Sequence, residues 1–572
     1  MVKRSRRSSS AAKISRDAVT FGLEPVLWAA LIGFAVALRL ASLDHLPLTT
    51  AESARAFNAW LVSQGSVPDS WSGDVTAALT SYLFRIFGSG ETVARFVPAV
   101  SGSALFVSLW FARRHFGRGA VLLAATLLAF SPLAVHTSRS ASSFALGGLL
   151  SMVMVLSLLA YLEKPRPLPI AILSAAAGLG LASDPVATST LLALVAFVAL
   201  EATWRREGAV SSAIATFRRT SDHWQLAALA LAFTLSLGIL QVGTDIDRLS
   251  LPGVRQWVDM FALPGDDLPR FYQLSVLAGY EWPLLLSGAA AYIVLVRRWV
   301  TASRAPPLIQ RLLLTWATVA LFVVAFATQR DSGQLLLLLL PLSLLAASLI
   351  EEAVSSVDWG LIKRWWPAIG LALALLAYAL LQLSRWAQEG SPISDTEQAL
   401  AVLALVATAT IVAGGFYYWG RNGLILALPL GAALALPFLI HSSLSLGFGD
   451  GSEFAVDRRF TPGVELLSDT VALEAEQRGS PVTVEHPARD AIAWHLRGSA
   501  VMLEDPPAGS LIVPDAGREA PPGFTPLGGS WRVAEGWIPL NFDLLSAWRW
   551  LAEREQYGNL STIEVQILVP TE

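Results

Sequence analysis

The sequence predicts a polytopic α-helical membrane protein with a C-terminal α/β domain, and three observations predict it. Of its 572 residues, 54% are hydrophobic and only 15% charged, too few charges to cover a soluble surface of this size. Apolar runs close to the length that crosses a bilayer recur from residue 25 to residue 446. Beyond 446 the character changes: residues 447–572 are polar, contain no Lys, and alternate helical with strand periodicity. The formal net charge of −3 gives no reason to expect nucleic acid as a partner. The chain has no Cys, which excludes disulfides, thiolate metal sites and Cys nucleophiles. Its twenty Trp sit often near the ends of apolar runs, where bilayer interfaces favour them.

Taken in order, residues 1–24 form a basic tail. The apolar run at 25–43 is long enough to span, and no small-residue cleavage site follows it. It therefore reads as a first transmembrane helix and not as a signal peptide. The apolar runs suggest about thirteen spans in 25–446, near 25–43, 92–112, 119–136, 142–162, 168–183, 186–202, 224–243, 274–296, 308–328, 334–351, 366–385, 397–418 and 423–446. Basic pairs such as Arg113-Arg114, Arg205-Arg206, Arg297-Arg298 and Lys363-Arg364 fall in alternate loops, on the side of the tail. That is the positive-inside pattern. It predicts a plasma-membrane protein with a cytoplasmic N-terminus and residues 447–572 outside. Within 447–572, helices are expected at 464–478, 488–496 and 544–555, and strands at 481–486, 499–504, 510–515 and 561–569.

The first outer loop, 44–91, opens with LDHLPLTTAESARAFNAWL (43–61) and continues with VTAALTSYLFRIFG (75–88). Two short amphipathic helices on the membrane surface fit it. On the first, Phe57, Trp60 and Leu61 share a face, and Glu52 and Arg55 share another. The plain reading of Glu52 is a first-turn acid favoured by the helix dipole and paired with Arg55. The chemical reading makes it a base or an orienting group beside cations that hold a departing phosphate. Candidate cations on that side are Arg39, Arg95, Arg139, Arg255 and Arg330, since guanidinium matches phosphate oxygens. Each has a plain alternative, snorkelling from a helix end to lipid head groups. Arg39 resists it most, because it interrupts the apolar ALRLASL. Asp184, in the Ser183-Asp184-Pro185 turn, and Asp245 or Asp247 are possible second acids. Asp266-Asp267 and Asp245/Asp247 admit a divalent cation, against the plainer reading of solvated loop acids. His45 and His136 lie near the same loop as isolated residues, and no zinc-type spacing or P-loop occurs.

The succession of a first span ending near an Arg, LPLTTAESARAFNAW, ETVARFVPAVSGSALFVSLWFARRHFG and LLAATLLAFSPLAVHTSRSASSFALGGLLSM resembles the GT-C superfamily of polyprenyl-phosphate-sugar-dependent membrane glycosyltransferases. The likeness is greatest to its protein O-mannosyltransferase and aminoarabinose transferase group. TQRDSGQLLLLLLPLSLLAAS (328–348) resembles that group's late helix pair, and AIAWHLRG, WRVAEGWIP and LSAWRWLAERE resemble the outer domain of relatives described as flippase-associated or mannosyltransferase-like. The resemblance implies transfer of a sugar from a polyprenyl-phosphate donor to a protein, lipid or glycan acceptor at the extracytoplasmic face, with inversion at the anomeric carbon. It implies Glu52 as the acceptor's base or orienter, and Arg39, Arg95, Arg139 and Arg330 as phosphate ligands. It names no certain cofactor.

The chain also departs from the group. The usual Asp-Glu pair reads Ala51-Glu52. The usual Ser-Arg-Glu-x-Arg-x-Tyr reads Ser138-Arg139-Ser140-Ala141-Ser142-Ser143-Phe144. A common Lys is replaced by Asp184. These changes leave open a second reading, a non-catalytic subunit that binds or assembles lipid-linked glycans. A third, a flippase or transporter, would favour internal repeats and mid-membrane charges; the sequence shows no convincing repeat, and its ionisable residues cluster at span ends.

Overall fold

The computed structural model describes residues 8–68, 71–204, 208–240, 251–262, 268, 271–301, 306–388, 395–449, 453–499, 501–502, 510–537, 544–554, 556 and 560–571. The chain begins with α1 (Ser8–Leu40), α2 (Thr50–Ser63), α3 (Val75–Phe87), α4 (Glu91–Phe116), α5 (Arg118–Ala129), α6 (Pro132–Arg139) and α7 (Phe144–Glu163). It continues with α8 (Pro167–Leu181), α9 (Pro185–Trp204), α10 (Ala209–Arg219), α11 (Ser221–Leu240), α12 (Pro252–Ala262), α13 (Tyr272–Tyr280) and α14 (Trp282–Thr301). The helical part ends with α15 (Leu308–Phe326), α16 (Leu336–Ser355), α17 (Ile362–Gln388), α18 (Asp395–Trp419) and α19 (Leu424–Phe448).

Every apolar run expected to span is helical through most of its described length. Among the described residues, eight helical stretches are long and apolar enough to cross a membrane, or nine if a bent pair is counted as one span. That count is below about thirteen for identifiable reasons. The helix α8 has only 15 residues, and Thr396–Phe448 counts as one stretch although it holds both α18 and α19. Two expected spans are broken. The run 119–136 bends by 62° between α5 and α6, where Ser131 caps α6 and Pro132 occupies its first turn. The run 274–296 breaks at Glu281, between α13 and α14. The two breaks meet: a Glu281 oxygen accepts hydrogen bonds from Ser131 Oγ at 2.5 Å and from the Leu133 N–H at 3.0 Å. A buried helix start is thereby supplied with an acceptor for its free N–H.

Residues 459–570 form a six-stranded mixed sheet in the order β1-β5-β6-β4-β2-β3. Its elements are β1 (Arg459–Phe460), α20 (Gly463–Arg478), β2 (Val482–Glu485), α21 (Arg489–Leu496), β3 (Val501–Met502), β4 (Leu511–Pro514), β5 (Phe524–Trp537), α22 (Leu544–Glu553) and β6 (Leu560–Pro570). Strands β3, β2 and β4 run parallel, while β4–β6, β6–β5 and β5–β1 are antiparallel. The four expected strands and three expected helices are present. The longest strand, β5, is not among those expected: FTPLGGSWRVAEGW carries Pro526, Gly528 and Gly529 and lacks alternation. Its pairing with β6 is interrupted by two register shifts, near Leu527/Trp531 and Arg532/Ala534.

Most of the helices share one apolar core, which also takes in Phe454, Trp537 and Trp550; α17–α19 pack in two smaller clusters, and the sheet has its own, built on residues such as Val471, Val482, Ile492, Val513 and Ile567. A further cluster joins the two parts. Leu48, Phe57, Trp71 and Phe84 pack against Ala493 and Trp494 of α21, and Trp494 stacks on Phe84 at 5.8 Å. The helices α2 and α3 are therefore not free surface helices. They lie against the C-terminal domain, and α2 packs along α21.

Candidate functional site

The site begins at the start of α2. Thr49 and Glu52 form a reciprocal capping box: Thr49 Oγ1 accepts from the Glu52 N–H at 3.2 Å, and Glu52 Oε2 accepts from the Thr49 N–H at 2.9 Å. The S/T-x-x-E spacing of Thr49 to Glu52 encodes this start. Glu52 is not paired with Arg55. Arg95, from the second turn of α4, donates Nε to Oε1 at 2.9 Å and Nη2 to Oε2 at 2.8 Å. The Ala141 N–H adds a bond to Oε1 at 2.7 Å. Burial would raise the pKa of Glu52, but Arg95 and the backbone N–H donors outweigh it and hold the carboxyl down at about 2. Arg95 spends its other N–H groups on the carbonyls of Leu43, Leu46 and Pro47. The pair is a clasp that ties α2, α4, the 43–47 segment and the α6–α7 junction together.

The remaining expected residues divide. Arg39 is fully buried, with Nη1 bonded to Ala35 O at 3.0 Å and Nη2 to Leu128 O at 3.2 Å; it lies 4.2 Å from the centre of the Phe106 ring. Arg139 donates to the carbonyls of Leu38, Ala41 and Ser42, closing the C-terminus of α1, and to Gly447 O. Asp184 is fully buried. Its oxygens accept from Ser143 Oγ and from the Val186 N–H, each at 2.7 Å, so it starts α9. Arg255 lies on α12, exposed, 3.8 Å from Asp259. Arg330 is half-buried, with Nη1 on Leu268 O at 2.8 Å. Asp245, Asp247, Asp266 and Asp267 lie outside the described residues.

Glu52, Arg95 and Arg139 do converge, together with His136 and Arg459, around one void. That void is about 20 Å³, room for a water and no more. Beside it opens a cavity of about 740 Å³, with walls from both parts of the chain. The helical part contributes Glu52, Arg55, His136, Asp259, Tyr272, Arg330 and Asp331, and the C-terminal part contributes Phe454, Asp457, Arg458 and Trp537. A second cavity, of about 720 Å³, lies over Thr483–Glu485 and the start of α21, and it too reaches Ala51 and Asp457. Sequence reasoning misses Asp331, Asp457, Arg458 and Tyr272. Asp331 follows Arg330 directly, but VDRRF (456–460) carries no motif, and only the folded sheet brings it to α2. Among the described residues no group of three or more His, Asp or Glu is arranged to hold a metal ion.

Chemically, the large cavity combines guanidinium groups of Arg55, Arg330 and Arg458 with carboxylates of Asp259, Asp331 and Asp457. Such a set can hold an anionic phosphate and the hydroxyls of a sugar.

Residues 74–240 match the family model described as Dolichyl-phosphate-mannose-protein mannosyltransferase. No curated protein matches the chain by sequence. Among solved structures, the chain is similar to ArnT from Cupriavidus metallidurans bound to undecaprenyl phosphate, at a TM-score of 0.55 and 16% identity over 85% of this chain and 92% of that one. The apo state of the same protein gives 0.53 and 16% over 87% and 93%. The apo oligosaccharyltransferase of Archaeoglobus fulgidus gives 0.52 and 12% over 84% of this chain, which spans 64% of that longer one. At these identities the likeness is one of fold, and it is the GT-C superfamily of multi-pass membrane glycosyltransferases that this chain resembles in fold and in its family match alike.

Proposed function

We propose that this protein is a glycosyltransferase that moves a sugar from a polyprenyl-phosphate donor to an acceptor at the extracytoplasmic face of the cell membrane. The observation that carries the reading is the cavity of about 740 Å³ between the helices and the C-terminal domain, with Arg330 in its wall. The ArnT neighbour has undecaprenyl phosphate bound. The alternation of basic loops supports placing this end of the molecule outside.

Of the four arginines expected at phosphate, Arg330 is assigned that role, because it belongs to the wall of the large cavity and Arg39, Arg95 and Arg139 do not. Glu52 acts as an orienting group. A carboxyl held near 2 is a poor proton acceptor, but it fixes the α2 start that borders the cavity. Arg95 and Arg139 lock the loop and helix ends around it. Asp184 sets the start of α9, whose Pro185 reaches the same cavity.

The saturation of Glu52 also favours a second reading, a subunit that binds lipid-linked glycan without transferring it. Purified full-length protein in nanodiscs separates the two. It is supplied with the lipid-linked sugars extracted from its source membranes together with delipidated cell envelope. Release of free polyprenyl phosphate and transfer of sugar support the enzyme; retention of the donor with no release supports the binding subunit.

A further inference from the structure

We propose that Asp457, carried by the C-terminal domain, is the base that activates the acceptor, and that the cavity at the carboxyl end of β2 is the acceptor subsite, recognising a carbohydrate hydroxyl. This rests on the transferase reading and adds to it the proton acceptor and the acceptor class.

The position of Asp457 is fixed by main-chain pairing. Thr49 bridges Arg459 in antiparallel fashion, and the Thr50 N–H donates to Arg458 O at 2.8 Å. The residue before α2 therefore bridges β1, and Asp457 lands on the first turn of α2. Its Oδ2 accepts from Thr50 Oγ1 at 2.5 Å and from the Ala51 N–H at 3.2 Å. Its Oδ1 accepts no hydrogen bond among the described residues, and the side chain is exposed to the cavities. Asp457 and Ala51 belong to the walls of both large cavities. A carboxylate with one open oxygen thus stands on the wall that the two cavities share, beside the small Ala51 side chain. Glu52 is occupied by four N–H donors, Asp184 by Ser143 and Val186 and Asp331 by the Gly333 N–H, while Asp259 lies 3.8 Å from Arg255 on α12 and belongs to the large cavity alone.

The acceptor class follows from the second cavity. It sits at the carboxyl end of β2, in the parallel part of the sheet, where α/β sheets bind ligands. Its wall carries Thr483, Glu485, His486, Arg489 and Asp490, hydrogen-bonding groups suited to sugar hydroxyls, and its apolar part is mostly small alanines. In the transfer step the acceptor hydroxyl gives its proton to Asp457 Oδ1. The hydroxyl oxygen forms the new bond to the anomeric carbon. The bond from that carbon to the phosphate oxygen breaks, and its electron pair leaves with polyprenyl phosphate, which gains one negative charge beside Arg330. The proton then passes from Asp457 to water.

The test uses the full-length protein in nanodiscs, lipid-linked sugars labelled in the sugar and extracted from source membranes, and delipidated envelope separated into glycan and protein fractions. Retention of undecaprenyl phosphate is read in parallel by native mass spectrometry. Asp457→Asn is expected to keep undecaprenyl phosphate and lower kcat about a hundredfold or more, with Asp457→Glu restoring part of it. Ala51→Leu, which crowds the shared wall beside Asp457, is expected to block transfer while undecaprenyl phosphate is still retained. Label is expected in glycan. Transfer by Asp457→Asn within about threefold of wild type overturns the base, and label transferred only to protein overturns the acceptor class. Wild-type protein that retains the donor but never releases polyprenyl phosphate overturns the transferase reading itself, and the role of Asp457 falls with it.

Discussion

Arg95 meets Glu52 along a full bidentate pair, Nε to Oε1 at 2.9 Å and Nη2 to Oε2 at 2.8 Å, with both side chains buried. The acid that the sequence singles out is therefore a fastener. It joins the capping box of α2 to α4 and, through the Ala141 N–H, to the α6–α7 junction. On the transferase reading the chemistry lies beside it, in the cavity closed by the C-terminal domain.

Glu52→Gln removes the charge and leaves Arg95 buried without its counter-ion, which costs about 3–5 kcal/mol. The folded pKa of about 2 lies below the ordinary 4.5. The pair's contribution is thus fully present above about pH 4.5 and is lost as pH falls towards 2. Thermal unfolding in nanodiscs between pH 7 and pH 3 is expected to show wild type losing stability on that limb, and Glu52→Gln starting lower and losing less. Equal slopes would show that the pair carries no such linkage.

Arg330→Ala is expected to weaken retention of undecaprenyl phosphate by about tenfold to a hundredfold, the worth of one charge-assisted contact. Arg330→Lys should lose less. Arg39→Met should change retention by less than about twofold, because an apolar side chain of similar length suits its buried place. Titration of undecaprenyl phosphate by native mass spectrometry reads all three. A large loss in Arg39→Met with none in Arg330→Ala would reverse the assignment.

Trp494→Ala is expected to loosen the C-terminal domain from α2 and α3. Trp494 is buried in the cluster with Leu48, Phe57 and Phe84, and Arg497 lies 3.8 Å from its ring centre. Truncating such a side chain costs about 3–5 kcal/mol. Limited proteolysis should then cut between α19 and β1 at protease levels that leave wild type intact. Unchanged cleavage would mean that the domain is held elsewhere.

Local patterns make much of this fold legible in the sequence. Apolar runs mark the helices, Thr49 to Glu52 marks the start of α2, and period-two stretches such as PVTVEH mark strands of the sheet. What escapes depends on contacts across long sequence distance. Arg95 reads as a phosphate ligand in the sequence because its partner lies 43 residues away. Asp457 reaches Thr50 across 407 residues, through one antiparallel bridge that no local period announces. The strand β5 is hidden by its glycines and register shifts. The bend at Ser131-Pro132 is readable as a helix start, but its angle is set with Glu281, 150 residues on.

Where the donor phosphate sits decides the matter, and photo-crosslinking locates it. The probe is an undecaprenyl phosphate analogue that carries a photoreactive group next to the phosphate, followed by peptide mapping. Label is expected on residues 329–334 and 454–458, the two walls of the large cavity, and it should disappear on competition with undecaprenyl phosphate. Competed label confined to the opposite ends of the helices, near Arg113-Arg114 or Arg297-Arg298, would contradict a donor site in that cavity.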